Sequence, residues 1–280
     1  GPYQTGLLYQ DWSDEKLNIG ATFYTQEWTI NYQTFQNMRE GYNYVSAKVF
    51  DNAGNTYELS DIFFVLKDTT PPTMNNQQSG DNIWRNANSG IYNIDFADTG
   101  GSDLTRFEVI ASTVIASVSE AISLTGWTTV YSGINANSFN MDWQLPASVW
   151  TVLQSWTTNY IFVRVFDNSV PANSSATLNY AFYVLKDTVS PTIVNNETAD
   201  RGWLRQNPGA IWDVDFKEQL PQHCSKLDTA QWSAYTAPNQ TGQQVVGWTN
   251  IFSNLGTTIY VQNIDLGSSF ELLSAGTNYI

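Results

Sequence analysis

The sequence predicts an all-β chain of tandem antiparallel β-sandwich repeats, each about 119 residues long. Three observations predict it. A long block recurs at a fixed interval, apolar residues alternate with period two, and turn-forming clusters separate the alternating segments. Residues 63–73 (FFVLKDTTPPT) return as residues 182–192 (FYVLKDTVSPT), which sets Lys67 and Lys186 119 residues apart (186 less 67). Trp84 matches Trp203, residues 91–96 match 211–216, and residues 41–52 match 157–168. The two ends share a further register, because residues 2–6 (PYQTG) match 238–242 (PNQTG), and Trp12 matches Trp127 and Trp248. The chain then divides into residues 1–68, the C-terminal part of one repeat; 69–187, a complete repeat; and 188–280, the N-terminal three quarters of a third.

Strands are expected over residues 44–50, 104–113, 127–131, 160–166 and 178–185. In residues 44–50, Val45, Ala47 and Val49 share one face, and in residues 160–166 the inward face is Ile161, Val163 and Val165. Residues 51–55 (DNAGN) form a hairpin turn, since Asn and Gly tolerate positive φ, and residues 167–173 form its longer counterpart. Short helices are expected over residues 30–39, before Gly41, and over residues 146–153, where Pro146 suits a first turn. The linkers at residues 68–72 and 187–191 contain proline and lack Gly/Ser flexibility, which predicts a semi-rigid, extended array.

Residues 272–280 (LLSAGTNYI) resemble the Leu-x-x-Gly-Thr-x-Tyr approach to strand F of fibronectin type III and related immunoglobulin-like domains. The FDNAGN and KDTTPPT elements resemble the last hairpin and linker of bacterial immunoglobulin-like surface repeats. The resemblance implies an Ig-like sandwich in which Tyr44, Tyr160 and Tyr279 are tyrosine corners, each hydroxyl bonding to upstream backbone. Two features depart from it: no Cys pair joins sheets, and the repeats are longer than an ordinary Ig domain.

Composition narrows the function. Twenty-six acids against twelve bases give a net charge of −14, which disfavours nucleic-acid partners and insertion into or binding of anionic membranes. No apolar run reaches the roughly 18 residues of a membrane span. The single cysteine, Cys224, excludes a disulfide framework. Without an initiator Met or signal peptide, the chain is expected to be a piece or processed product of something longer. The third repeat stops at Ile280 inside a strand, so a longer chain or a second chain is expected to complete its sandwich.

Catalytic candidates are few. His223 and Cys224 are adjacent, and neighbours on a strand point to opposite faces, which argues against a nucleophile–base pair. The acid pairs Asp95/Asp98 and Asp215/Glu218 recur in register, which suits structure better than a single active site. For metals, Asp51, Asn52, Asn55 and Asp68, repeated as Asp167, Asn168 and Asp187, place hard oxygen donors at what reads as a junction; the alternatives are Ca²⁺ ligation and turn formation. Trp12, Trp127 and Trp248 hold one repeat position and Trp84 and Trp203 another, which predicts core or inter-repeat packing. Trp150, Trp156 and Trp232 have no such match and are the candidate sugar-stacking surfaces. The reading that follows is a non-catalytic structural segment of an extracellular bacterial surface filament, its partners being copies of itself or neighbouring repeats. The alternatives are a glycan-binding adhesin array and accessory domains of a large secreted hydrolase.

Overall fold

A computed structural model describes residues 2–78, 80–115, 122–197, 202–219 and 224–280. The chain is all-β. In order the strands are β1 (Gly41–Phe50), β2 (Thr56–Lys67), β3 (Thr73–Asn76), β4 (Asp81–Arg85), β5 (Ile94–Ala97), β6 (Leu104–Ser112), β7 (Thr128–Ala136), β8 (Ser138–Phe139), β9 (Thr158–Asp167), β10 (Leu178–Lys186), β11 (Thr192–Asn195), β12 (Val214–Lys217), β13 (Ala230–Ala237), β14 (Thr241–Phe252) and β15 (Ile259–Tyr260). Two short helices, α1 (Tyr32–Asn37) and α2 (Ala147–Val152), precede β1 and β9. Asn31 caps α1 by accepting the Thr34 N–H at 2.9 Å, and α2 starts after Pro146.

In the second repeat a five-stranded sheet, β4-β10-β9-β6-β7, lies over a three-stranded one, β3-β5-β8. The core between them is set by alternation. Ile161, Val163 and Val165 of β9 are fully buried beside Ala111, Val109 and Phe107 of β6, their register partners. Each such side chain contributes about 1.5–3 kcal/mol on burial. Stacked rings bridge the layers, Tyr92 on Phe182 at 4.0 Å and Phe96 on Phe107 at 4.5 Å.

The pattern recurs in the other copies. In the third repeat β11-β12-β15 reproduces β3-β5-β8, and β13-β14 reproduces β6-β7, around a core that includes Phe216, Leu227, Trp232, Val246 and Ile264. In the first, β1 and β2 pair as β9 and β10 do. The matched PYQTG and PNQTG segments fold alike: φ is 56° and 58° at Tyr3 and Gln4, and 56° and 55° at Asn239 and Gln240. In both, the Thr N–H closes onto the Pro carbonyl at 3.2 Å, as a type I′ turn requires.

One pairing departs from the antiparallel rule. β4 runs parallel to β10 because β3 and β4 are successive pieces of one extended segment that leaves the small sheet for the large one. Gly80 sits in the crossing with φ 134°, and a Cβ there would overlap the Tyr183 ring.

Two polar residues fix each of the first two repeats internally. Lys186 is buried, and its Nζ donates to the carbonyls of Trp150 (3.0 Å), Thr151 (3.3 Å) and Leu153 (2.8 Å) at the end of α2. Lys67 does the same for Gln36 and Met38 at the end of α1, which satisfies carbonyls the helices leave open. Burial draws the Lys186 ammonium below its ordinary pKa.

The second residue corrects the tyrosine-corner expectation. Asn159, not Tyr160, is the corner: it is fully buried, accepts the Gln154 N–H at 2.9 Å, and donates to the carbonyls of Gln154 (2.9 Å), Thr157 and Val184 (both 3.3 Å). Asn43 and Asn278 bond upstream carbonyls in the same way. Tyr44 and Tyr160 face the outer surface instead, where Tyr44 stacks with Tyr42 and Tyr160 meets Tyr180 edge-on. Tyr279 bridges Tyr235 through backbone alone. Alternation forces this choice, because the side chain that points in is the one in register with Ile161.

We therefore expect Asn159→Ala to lower the unfolding free energy by about 2–4 kcal/mol, since it strands buried backbone groups. Tyr160→Phe should stay within about 0.5 kcal/mol. Urea titrations of both variants check this, and a large loss in Tyr160→Phe would restore the tyrosine corner.

Candidate metal centre at a repeat junction

The hairpins decide which acids meet. Asp51 and Asp68 stand at opposite ends of the twelve-residue strand β2, roughly 40 Å apart at about 3.3 Å per residue. Asp167 and Asp187 are likewise separated by β10. The expected set of Asp51, Asn52, Asn55 and Asp68 at one junction is therefore corrected. The junction brings Asp68, from the linker, to Asp98 and Asp167 of the following repeat, and their carboxylate oxygens lie within 4.8 Å of one another.

Each carboxylate is held by N–H donors. Asp98, at the end of β5, accepts from the backbone of Gly100 (3.0 Å), Gly101 (3.3 Å) and Asp103 (3.0 Å). Asp167, at the end of β9, accepts from Ser169 N and Oγ (3.0 and 2.7 Å) and from Asn173 N and Nδ2 (2.8 and 2.7 Å). Asp68 accepts from Thr70 N (3.0 Å) and Ser102 N (2.9 Å), and its own carbonyl takes the Asn173 Nδ2 at 3.1 Å. Asp167 is fully buried and Asp98 nearly so. Among the described residues the ion pairs are Lys48–Glu58, Arg85–Asp81, Arg106–Glu108 and Arg164–Glu108, so none reaches the cluster.

Two further features belong to this end. The Asp68 carboxylate lies directly over Gly100, where a Cβ would overlap it. Ser102 Oγ, on the residue whose N–H binds Asp68, is buried without a hydrogen-bond partner. An all-oxygen donor set with a spare hydroxyl and no basic counter-charge fits a hard divalent cation, and the lack of His and Cys ligands disfavours softer metals.

The next junction repeats part of this arrangement, with two carboxylates in place of three. Asp187 accepts from Ser225 N at 2.9 Å, as Asp68 does from Ser102, and Glu218 takes the place of Asp98. Burial, and then the Asp187 charge, push the Glu218 carboxyl above its ordinary pKa.

The other sequence candidates resolve as follows. Asp51 organises its turn, accepting Ala53 N (2.9 Å), Asn55 N (2.8 Å) and Asn55 Nδ2 (2.7 Å); the Asn55 bonds hold its pKa below the ordinary value. Asn52 is exposed in that turn, and Asn168 Nδ2 is directed at Leu104 O and Asn135 Oδ1. Asp95 is bound by Gln77 Nε2 at 2.7 Å, so the Asp95/Asp98 pair splits between different partners. Cys224 is buried, and His223 lies outside the described residues.

The tryptophans are redistributed. Trp232 is buried in the third core and presents no face to a sugar. Trp150 covers the Lys186 ammonium at 5.3 Å, the place Phe35 takes over Lys67 at 5.4 Å, so it is a packing residue. Trp156 is half-buried with φ 62°, its N–H on Lys186 O at 2.9 Å. Trp12 and Trp248, expected in packing, are instead 50% and 56% exposed on the outer surface. Lys48 lies over Trp12 at 4.5 Å and Arg164 over Trp127 at 4.0 Å, a repeated cation–π contact.

No family model and no curated protein matches this chain. Solved structures do. One, described as a tetra-tandem repeat in the extending region of a large adhesion protein, is 15% identical over 82% of this chain and 50% of that one, with a TM-score of 0.30. The chain thus spans half the length of that structure. Another, CBD12 from CALX1.2, is 11% identical over 70% of this chain and 76% of that one, with a TM-score of 0.22.

Gly100→Ala sets a methyl group against the Asp68 carboxylate and should cost about 1–3 kcal/mol. A urea midpoint unchanged from wild type would show that Asp68 does not need that approach.

Proposed function

We propose that the chain is a non-catalytic, load-bearing segment of an extracellular surface stalk or filament, with linkers fixed by a hard divalent cation, Ca²⁺ in the first instance. The observation that carries this reading is the Asp68–Asp98–Asp167 cluster, because one ligand comes from the linker and two from strand ends of the next repeat. A cation held there ties the linker to the sandwich. Asp68, Asp98 and Asp167 would hold it, with Ser102 Oγ as a further oxygen. The bound ion supplies charge neutralisation and cross-linking; the chain's N–H donors hold the carboxylates in place beforehand. Two sandwich cores in series, joined by proline-containing linkers, suit transmission of force along an extended array.

A cation at a hundred times its Kd stabilises the folded form by about 2.7 kcal/mol. The melting temperature should therefore rise by roughly 5–10 °C between chelator and millimolar Ca²⁺. Asp98→Asn should abolish most of that difference. Identical melts with and without chelator would remove the cation from this reading.

A further inference from the structure

The two linkers of this chain are gripped differently on the side of the preceding repeat. At the first, Glu40 stands immediately before β1 and reaches across the hairpin base to Thr69. Its Oε2 accepts the Thr69 N–H at 2.9 Å and its Oε1 accepts the Thr69 hydroxyl at 2.6 Å. Thr69 is the neighbour of Asp68, so Glu40 of one repeat and Ser102 and Asn173 of the next hold adjacent linker residues. At the second linker Trp156 occupies the place of Glu40 and has no carboxylate to offer. Thr188, matching Thr69, instead meets the Ser155 hydroxyl at 3.0 Å. A two-point, charge-assisted grip is thus replaced by one neutral contact, and charge-assisted hydrogen bonds are roughly twice as strong as neutral ones.

We propose that Glu40 is a positioning residue that clamps the first linker independently of any cation, so the two junctions differ in stiffness when cations are removed. The inference deepens the reading of the junctions as load-bearing and rests on it. The first junction is held from both sides by protein groups alone. On the side of the preceding repeat the second has the Ser155–Thr188 contact in place of Glu40.

Spin-label distance distributions test this directly. In a Cys224→Ala background, label pairs at Gln33 and Thr129 and at the matching Ser148 and Asn250 span the first and second junctions; all four positions are exposed. With chelator present, the second distribution should be at least twice as wide as the first. Under the same conditions Glu40→Ala should make the first as wide as the second, and Glu40→Asp should restore part of the narrow width. The melting temperature of the second repeat should not move in either variant, which separates positioning from folding.

A first junction that stays narrow in Glu40→Ala with chelator would overturn the proposal. So would equal widths of the two junctions in the wild type with chelator present. If cations change neither distribution, the cation reading fails separately, and broadening in Glu40→Ala alone still sustains the clamp.

Discussion

A buried carboxylate is the constraint around which this junction is organised. Asp167 has no solvent exposure, and two more carboxylates share its surroundings. A buried charge is costly unless it is hydrogen-bonded and compensated. The loop after β5 turns its N–H groups onto Asp98, and Gly100 leaves room for Asp68 to come down on it. The turn after β9 wraps Asp167 with Ser169 and Asn173. Asn173 also holds the Asp68 carbonyl, so the group that solvates one carboxylate ties down the linker that delivers another. Linker geometry and site geometry are one problem here.

The same economy governs the interior. Lys186 and Asn159 point into the sandwich from neighbouring strands and bond to backbone that would otherwise be stranded beside α2. Lys67 and Asn43 do so in the first repeat. Aromatic rings close over the lysines, Phe35 in one case and Trp150 in the other. Trp150 therefore looks unmatched only while one compares tryptophan with tryptophan. Compared as an apolar lid over a buried ammonium, it belongs to the repeat.

The outer surface follows a different logic. With few charges and many aromatics, the chain sets two of its cations over tryptophan rings, Lys48 over Trp12 and Arg164 over Trp127. Arg164 also pairs with Glu108, where burial raises the carboxyl pKa and the bonds to Arg106 and Arg164 outweigh it, leaving it lowered. The Arg164–Glu108 pair links β9 to β6 across the sheet.

The sequence by itself determined five of the fifteen strands, the turn at residues 51–55 and the repeated motifs. Alternation and turn chemistry are local, and a repeated block exposes them twice: the inward Ile161, Val163 and Val165 and the hairpin at residues 51–55 were all legible. It also marked Asp68 and Asp167 as unusual. Only the tertiary structure decided that they meet each other, and that Asp98, Ser102 and Asn173 join them. Sequence proximity grouped Asp51 with Asp68, yet an antiparallel hairpin sends the two ends of a strand apart and brings a linker against the loops of the next repeat. Which of Asn159 and Tyr160 forms the corner was likewise left to packing, since a one-residue shift along a strand exchanges the inward and outward faces.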